Sequence, residues 1–371
     1  MSVSELLKRK ARMNILFCGE GFIIDGVASY NLYLSAALRQ AGHQVAIVGR
    51  WAGFNGFQER HRQAGVKVIQ CASLTVDNAW LVKQALAFKP DVIVSDSRRS
   101  FPLTLRIYEA TGAKVVTVFH DPPQLEREGE RSIEIIIANS HAWVTSEKPI
   151  YHELKKLNVD LPVHWIQRPI TAMCRPTPLP PRDPFHVVCL GRLSGWKSPG
   201  LRAIVEKAAE LKQAIPSLRI TVVGGGRRQV NFWIDAMKAN IQMQERFVRI
   251  LGTKSNPQPF LEQATVVCAG ATAAIEAILS ERPVVALSGF WMGEVTPENL
   301  EQGVSTHFAE RAGEFYMRDN PRVVIDALIN LYRRWDNGKM AEQASRLRRK
   351  LAHDFDSQSI AKTFEGMLAS I

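Results

Sequence analysis

Short apolar runs alternate with stretches of helical periodicity along the first part of the chain. The stretches from Ser29 to Gly42 and from Asp77 to Phe88 carry apolar residues at helical spacing, and the first of them ends in a glycine. Apolar runs between such helices are typical of the buried strands of a doubly wound parallel sheet. The predicted strands are Asn14–Cys18, Gln44–Val48, Val66–Ile69, Val92–Ser95, Val115–Phe119, Ile135–Ala138 and His164–Ile166.

A proline-rich stretch interrupts this rhythm, which then starts again. The pattern predicts a first domain over residues 1–168, a semi-rigid linker over 169–184 and a second domain from 185. Helices are expected over 201–214 and 230–242. The second set of predicted strands is His186–Leu190, Arg219–Val223, Val248–Leu251, Thr265–Cys268 and Val284–Leu287. The predicted fold class is therefore α/β, with two Rossmann-like domains. Since ligands bind at the carboxyl ends of parallel strands, we expect the two domains to face each other across a cleft that holds the site.

Composition narrows the class of partner and the compartment. The net charge of +11 favours anionic partners such as nucleotide phosphates, nucleic acid or an anionic lipid surface. The five cysteines are widely spaced and lack metal-binding spacing, which predicts a reducing compartment without zinc. The start of the chain lacks a convincing signal peptide, and no apolar window is long enough to span a bilayer, so we expect a cytoplasmic protein.

The strongest local pattern is GRLSGWK, which follows the strand HVVCL. Gly191 lets the backbone turn at the end of the strand, and Arg192 and Lys197 then lie at the sheet edge. Two cations at this point can hold a diphosphate and stabilise the negative charge that grows on a leaving phosphate, without a metal ion. The plain alternative is that both side chains belong to a solvated loop.

Two glycine-bearing loops in the second domain are further candidates for the site that binds the diphosphate. Gly270, Ala271 and Thr272 make a tight turn into a helix, whose first N–H groups form an anion site, and Glu276 on that helix can accept two ribose hydroxyls. The alternative is a surface glutamate favoured by the helix dipole. The loop ending in Gly226 precedes two arginines and either lines the donor phosphates or is a flexible connector.

Candidates in the first domain are weaker. Gly26 lies in a glycine-bearing loop that permits close approach to a ligand, and His120 stands with Asp121 at a strand end, where a histidine can polarise a reacting sugar. Asp96, with Arg98 and Arg99, can meet an anionic acceptor. Structural or solvated roles are the alternatives for each of these residues.

Taken in order, these pieces resemble the GT-B glycosyltransferases, most closely the retaining family typified by bacterial lipopolysaccharide and mannosyl transferases. The resemblance rests on DGVASYNLYLSAALRQAGHQV, ANSHA, GRLSGWKSPG, ITVVGGG and FVRILG, and it covers roughly residues 13–365. It implies that the first domain is on the acceptor side and that the second, 185–352, binds a nucleoside-diphosphate sugar. It also implies that a final helix, 353–371, crosses back to the first domain.

Site roles follow from the same resemblance. Arg192 and Lys197 would contact the donor diphosphate, Glu276 would bind the ribose, and His120 would contact the donor sugar near the reacting carbon. Gly26 would belong to the loop near phosphate and acceptor. The sequence departs from the family at Cys268, where the family has a first glutamate eight residues before the second. Retention of stereochemistry is favoured over inversion.

The resulting hypothesis is sugar transfer to a hydroxyl of a glycan or lipid-linked acceptor in cell-envelope or exopolysaccharide synthesis. No metal, other cofactor or nucleic acid is expected. The alternatives are a nucleotide-sugar epimerase or hydrolase and a catalytically inactive binding protein. Peripheral contact with an anionic membrane is a separate hypothesis, because LLKRKAR and WLVKQALAFK place cations beside apolar residues. The favoured alternative is that such segments are amphipathic helices packed on a sheet.

Overall fold

Two compact units make up the computed structural model of the chain. Its described residues are 12–22, 26–50, 56–71, 79–96, 100–121, 130–171 and 174–371. Unit 1 comprises Met1–Ala172 with Phe355–Ile371, and unit 2 comprises Met173–Asp354. Each unit has its own sheet and its own buried apolar core, and the predicted α/β class is confirmed for both.

Unit 1 is built on a seven-stranded parallel sheet in the order β3-β2-β1-β4-β5-β6-β7. The strands are β1 (Asn14–Gly21), β2 (Gln44–Arg50), β3 (Lys67–Cys71), β4 (Val92–Ser95), β5 (Lys114–Phe119), β6 (Ala142–Thr145) and β7 (Val163–Trp165). Its helices are α1 (Gly26–Gln40), α2 (Phe57–Gln63), α3 (Ala79–Ala87), α4 (Phe101–Thr111), α5 (Glu130–Asn139), α6 (Lys148–Lys156) and, at the end of the chain, α15 (Ser357–Ser370). The central strands are continuous apolar runs because helices cover both faces of such a sheet.

The C-terminal helix α15 packs against α1 within unit 1. A buried pair fixes it there, since His43 Nε2 lies 3.0 Å from Glu365 Oε1. His43 Nδ1 accepts a hydrogen bond from the Met13 N–H, so Nε2 carries the proton that is donated to the carboxylate.

Unit 2 has a six-stranded sheet in the order β10-β9-β8-β11-β12-β13, parallel except for the β12–β13 pair. The strands are β8 (His186–Leu190), β9 (Arg219–Val223), β10 (Val248–Ile250), β11 (Val266–Ala269), β12 (Val284–Leu287) and β13 (Trp291–Glu294). The helices are α7 (Pro199–Glu206), α8 (Ala208–Ala214), α9 (Gln229–Gln242), α10 (Gln258–Gln263), α11 (Ala271–Leu279), α12 (Leu300–Ser305), α13 (Val323–Arg333) and α14 (Asn337–Ala352), with a 3-10 helix at Gly195–Lys197.

Three elements differ from the sequence prediction. The strand predicted at Ile135–Ala138 is wrong, because these residues lie in helix α5 and the strand is Ala142–Thr145. A run of four apolar residues fits either element, and here only Ile136 is buried whereas Ile135 is 42% exposed. The helix predicted over 201–214 is two helices that meet at Lys207, and the antiparallel strand β13 was not predicted.

The proline-rich stretch is held on unit 2 by Arg282, whose side chain is fully buried. Its guanidinium donates to the carbonyl oxygens of Leu261 at 2.6 Å, Thr177 at 3.0 Å and Pro178 at 3.2 Å. These contacts attach residues 177–178 to the last turn of α10, because a planar fork of five N–H groups can satisfy several carbonyls at once.

Replacing Arg282 by methionine is expected to lower the free energy of unfolding by about 3 kcal/mol, since several buried carbonyls lose their donors. Urea denaturation measures this difference. Arg318→Met is the matched control, because Arg318 is 74% exposed and its replacement should change stability by less than about 0.5 kcal/mol. Equal stability of the two variants would contradict the structural role given to Arg282.

A buried histidine makes unit 1 sensitive to acid. His61 on α2 is fully buried against Phe22 and Phe57, and its Nδ1 lies 3.4 Å from Ser35 Oγ on α1. Burial, helped by the charge of Arg60, lowers the pKa of His61 to about 3. The unfolded chain therefore takes up a proton near pH 6.5, whereas the folded chain does so only near pH 3.

Stability of the wild-type chain should fall as the pH drops below about 6.5, by up to about 1.4 kcal/mol per pH unit from this residue alone. His61→Phe removes the titrating group and keeps an aromatic ring. Thermal unfolding between neutral pH and pH 5 is expected to show a smaller loss for the variant. Parallel pH profiles would rule out His61 as a source of the acid sensitivity.

Candidate active site

The GRLSGWK segment forms a compact loop after β8 in unit 2. Gly195 has a φ of 61°, which turns the chain into the 3-10 helix that carries Trp196 and Lys197. Arg192 is exposed, and none of the described residues forms an ion pair with it. Lys197 is partly buried and its Nζ forms a close ion pair with Glu310 Oε1. One cation of this loop is therefore open to a ligand, and the other is held in place by a carboxylate.

Glu310 follows a strained turn formed by His307, Phe308 and Ala309. These three residues have φ values of 52°, 48° and 66°, in the left-handed region that costs a non-glycine residue about 1–2 kcal/mol. Phe308 and Ala309 are fully buried, and the Phe308 N–H donates to the Gly303 carbonyl, so packing and hydrogen bonds hold the turn. Such strain is concentrated at functional sites, where the surrounding structure fixes it.

The carboxyl of Glu310 is the acidic centre of this cluster. Burial acts to raise its pKa, but the charge and hydrogen bond of Lys197, together with His307 and Arg311, outweigh burial, and the pKa lies below its ordinary value. His307 Nδ1 lies 3.7 Å from Glu310 Oε2. Glu310 is therefore ionised at neutral pH and fixes the position of Lys197 by charge as well as by hydrogen bonding.

The second candidate loop leads from β11 into α11. Gly270 precedes the helix, and Ala271 has a φ of 53°. A side chain at position 270 would meet the Phe308 carbonyl oxygen at 2.7 Å, so only glycine fits there. The Ala271 N–H donates to the carbonyls of His307 and Phe308, at 3.1 and 3.3 Å. The first N–H of the helix is thus used by the protein, and those of Thr272 and the next residue remain for an anion.

Glu276 lies one turn further along α11 and is only 8% exposed. The alternative of a solvated surface glutamate is therefore wrong. Its neighbours Ile275, Ala277 and Ile278 are also buried, so this part of α11 is enclosed on most sides. A buried carboxylate at this distance from a helix start is suited to accept hydrogen bonds from a bound polar ligand.

Packing joins the two candidate loops within unit 2. A Cβ at Gly289 would lie 1.7 Å from Trp196, so the indole beside Lys197 packs directly on the backbone of residue 289. A Cβ at Gly270 would meet Ser288 at 2.7 Å. The turn at 307–310 completes the connection, because its carbonyls accept from Ala271 and its Glu310 binds Lys197. The two loops that carry the predicted donor-binding residues are therefore connected by packing, through residues 288–289 and through the turn at 307–310.

The glycines before Arg227 have a packing role. A side chain at Gly224 would lie 1.8 Å from the Gly191 carbonyl oxygen, and one at Gly226 would lie 2.7 Å from the Leu193 carbonyl. The Leu193 N–H donates to the Gly225 carbonyl at 2.9 Å. Gly226 thus supports the loop of Arg192 and Lys197 by close backbone contact, and the alternative of a flexible connector is wrong.

Cys268 lies inside the sheet. It is fully buried in β11, next to its register partner Cys189 in β8. A hydrogen bond with Cys189, together with burial, raises the pKa of the Cys268 thiol well above its ordinary value. The position eight residues before Glu276 is consequently part of the core and does not reach the loop at Gly270.

In unit 1, His120 stands at the end of β5 beside a buried cluster. Its ring meets Tyr30 edge to face, with centroids 5.2 Å apart, and the Arg168 guanidinium lies over the Tyr30 ring at 5.7 Å. Arg168 also donates to the Gly26 carbonyl at 2.6 Å and lies 3.6 Å from Glu147 Oε1. Gly26 and His120 therefore belong to one cluster, which Tyr30 and Arg168 connect.

Asp96 is buried beneath α1. It accepts a hydrogen bond from the side-chain amide of Asn31 and is only 6% exposed, so it does not belong to a solvated loop. Asn31 and Asp96 also surround Gly19, where a Cβ would lie 3.2 Å from the amide nitrogen. Arg98 and Arg99 lie outside the described residues.

Within the described ranges, no group of three or more His, Cys, Asp or Glu side chains is arranged to hold a metal ion. No helix among these residues is long and apolar enough to cross a bilayer.

Sequence reasoning missed Glu310, His307, Tyr30, Glu147 and Arg168. Tyr30 lies in the segment DGVASYNLYLSAALRQAGHQV, but the other four belong to no recognisable motif. His307 and Glu310 share one turn, whereas Tyr30, Glu147 and Arg168 come from three separate segments. Arg168 was predicted only as the last residue of the first domain. A weak signal for Glu310 was available, because HFAER places a histidine and a glutamate three residues apart after a short helix.

Two family models match adjoining parts of the chain. Residues 24–172 match the model described as Glycosyltransferase Family 4, and residues 184–334 match Glycosyl transferases group 1. Together with the two parallel-rich sheets and the joined donor loops, these matches define the class. The chain is a glycosyltransferase of the GT-B fold.

Solved structures of similar fold extend over almost the whole chain. The structure of HepE from Anabaena with UDP and glucose has a TM-score of 0.67 at 15% identity and covers 97% of this chain and 100% of its own. The pneumococcal O-GlcNAc transferase GtfA with UDP and GlcNAc has a TM-score of 0.68 at 10% identity, with coverages of 97% and 99%. Sucrose-phosphate synthase from Thermosynechococcus elongatus has a TM-score of 0.61 at 14% identity, covering 96% and 98%. No curated protein sequence matches the chain significantly.

Proposed function

We propose that this glycosyltransferase moves a sugar from a nucleoside-diphosphate sugar to a hydroxyl of a glycan or lipid-linked acceptor. The observation that carries the proposal is the union of the two donor loops in unit 2, with Lys197 held by Glu310 and Glu276 buried at the start of α11. In the transfer, the bond between the anomeric carbon and the phosphate oxygen breaks, and the diphosphate leaves with the electron pair. A new bond forms between the anomeric carbon and the acceptor oxygen, whose proton passes to the leaving diphosphate.

Each donor residue has a role in that reaction. Arg192 and Lys197 neutralise the leaving diphosphate, and the free N–H groups at the start of α11 bind a phosphate oxygen. Glu276 accepts hydrogen bonds from the ribose. Fixed cations and helix N–H groups supply the charge stabilisation for which other transferases use a metal, so we propose transfer without a metal ion or other cofactor.

In unit 1, His120 is the proposed group that assists at the donor sugar. Tyr30 sets the orientation of its ring, and Arg168 in turn fixes Tyr30. Gly26, whose carbonyl is bound by Arg168, remains the proposed loop position near phosphate and acceptor. Asp96 acts through Asn31 of α1 and supports this side of the unit from beneath.

We further propose retention of stereochemistry, a cytoplasmic location and a role in cell-envelope or exopolysaccharide synthesis. The match of residues 24–172 to Glycosyltransferase Family 4 and the resemblance to lipopolysaccharide and mannosyl transferases support these points. The anomeric configuration of the product, read by NMR, tests retention. An inverted product would exclude it.

A thermal-shift panel of UDP-, GDP-, ADP- and TDP-sugars tests donor binding, since a ligand of the folded state raises the melting temperature by mass action. UDP-sugars come first because the HepE and GtfA structures hold UDP. Product analysis then separates the alternatives. Turnover of donor without any acceptor would favour an epimerase or hydrolase, and binding without turnover over the whole panel would favour an inactive binding protein.

A further inference from the structure

Helix α9 of unit 2 is apolar on two opposite sides. Phe232, Ala236 and Ala239 are buried against the sheet. The outward side carries five exposed large apolar residues: Val230 (65%), Trp233 (57%), Ile234 (36%), Met237 (42%) and Ile241 (68%). They are five of the ten large apolar side chains that are exposed among the described residues. At 3.6 residues per turn, the five fall within an arc of about 100° and extend over roughly 17 Å.

This outward side, which we term the α9 face, belongs to a positively charged segment of the chain. Six basic residues in the segment from 227 to 254 are all exposed: Arg227, Arg228, Lys238, Arg246, Arg249 and Lys254. The segment has only two acidic residues, and other cations already bind both. Asp235 lies 3.7 Å from Arg202, and Glu245 lies 2.9 Å from Lys212. The positive charge of the segment is therefore not neutralised by its own acids.

A groove of about 500 Å³ continues the α9 face towards the sheet edge. It runs between α9 and the edge strand β10 and is lined by Trp233, Met237, Ile241, Arg246 and Arg249. An apolar stripe that includes a tryptophan and is bordered by cations is typical of a helix lying in the interface of an anionic bilayer. The aliphatic parts of such cations can lie along apolar surface while their charged ends meet lipid phosphates.

Protein partners fit this face less well. A second copy would bring two uncompensated positive segments together, and like charges oppose such an interface. A partner strand would have to pair with β10, which is only three residues long.

We propose that the α9 face docks the enzyme on an anionic membrane surface. The inference deepens the proposed function, because it rests on the lipid-linked acceptor that is proposed there. One of the two segments considered for this role in the sequence, from Trp80 to Lys89, is explained by packing, because Leu81, Val82 and Ala85 of α3 are buried in the core of unit 1. The basic run before Arg12 lies outside the described residues.

Flotation with liposomes tests the proposal. The wild-type chain should float with vesicles of phosphatidylglycerol and phosphatidylcholine, should remain unbound with phosphatidylcholine alone, and should lose binding as salt is raised. The triple variant Trp233→Gln, Met237→Gln, Ile241→Gln should bind at least about tenfold more weakly, because three exposed apolar anchors are lost. The double variant Arg246→Gln, Arg249→Gln should also bind about tenfold more weakly.

Matched controls separate the α9 face from general effects. Trp80→Gln removes an equally exposed tryptophan from unit 1, and Lys207→Gln with Lys339→Gln makes the same change in net charge elsewhere on unit 2. Both controls should float like the wild type. The proposal would be overturned if the triple variant floated as well as the wild type, or if Trp80→Gln weakened flotation as much as the triple variant did. The proposal would also be overturned if the wild type did not float and instead formed a dimer, seen by light scattering, that the triple variant did not form.

Failure of this inference can be told apart from failure of the proposed function. The variants change only exposed residues away from the donor loops, so thermal shifts with nucleotide-sugars and turnover with a soluble acceptor should match the wild type. Normal turnover with unchanged flotation rejects only the α9 face. Normal flotation without any donor binding rejects the donor assignment and leaves the docking surface intact.

Discussion

Replacing Lys197 by glutamine is expected to lower kcat/KM for the donor by about 100-fold or more, the usual effect of removing one group that stabilises developing negative charge. Glutamine keeps an N–H donor for Glu310 but removes the positive charge, so the turn at 307–310 should stay in place. Arg192→Ala should also reduce transfer, because the exposed guanidinium is the second proposed ligand of the diphosphate. Donor hydrolysis and transfer, followed by release of the nucleoside diphosphate, measure both effects.

Lys207→Ala is the control for these variants, since Lys207 is exposed in the same unit and lies outside the donor loops. Lys197→Arg keeps the charge and should retain more activity than Lys197→Gln. Melting temperatures close to that of the wild type would show that the losses arise in the site. Full activity of both Lys197→Gln and Arg192→Ala would refute the assignment of this loop to the diphosphate.

Glu276→Gln is expected to raise the donor KM by about 10- to 100-fold, because hydrogen bonds to a charged acceptor contribute about 1.5–3 kcal/mol. The ribose is bound equally in the ground state and the transition state, so kcat should change far less than KM. This pattern differs from that expected for Lys197, whose contact strengthens as the diphosphate leaves. Steady-state kinetics with varied donor concentration distinguishes the two.

A donor that lacks a ribose hydroxyl provides a direct check on Glu276. The wild type and Glu276→Gln should differ much less with a 2′-deoxyribose donor than with the ribose donor, because the contact is already incomplete. Glu301→Gln, at an exposed position of α12, should behave as the wild type with both donors. If the ratio of the donor KM values of Glu276→Gln and wild type were the same with the deoxyribose donor as with the ribose donor, the role of Glu276 would be purely structural.

The local pattern predicted most strands of both sheets because those strands are buried on both faces. Val92–Ser95, His186–Leu190, Arg219–Val223 and Val284–Leu287 were predicted with the bounds that the structure has. Where one pattern fits two elements, the prediction was wrong, as at Ile135–Ala138. An apolar run of that length indicates burial but does not distinguish a helix from a strand. Here Ala142–Thr145 pairs with β5 in the sheet, and Ile135–Ala138 belongs to the helix that precedes it.

Residues of the candidate site could be predicted when they follow a strand or start a helix. Arg192, Lys197, Gly270 and Glu276 were found in this way, because strand ends and helix starts are visible in local sequence. Glu310 could not be found, since its importance depends on a strained turn that places its carboxylate against a lysine 113 residues earlier in the chain. The α9 face was missed for a related reason: α9 is apolar on both sides, and the sequence does not show which side meets the sheet.

By itself, the sequence determined the two α/β units, most of the strands of their sheets and the loops that are proposed to carry the donor chemistry. Periodicity, glycine positions and strand-end charges are local properties, and they do not depend on the rest of the fold. Only the tertiary structure decided that Glu310 holds Lys197, that Cys268 is enclosed in the core and that five apolar side chains of one helix remain exposed. Each of these depends on contacts between segments far apart in the chain, which form only when the sheets and helices pack.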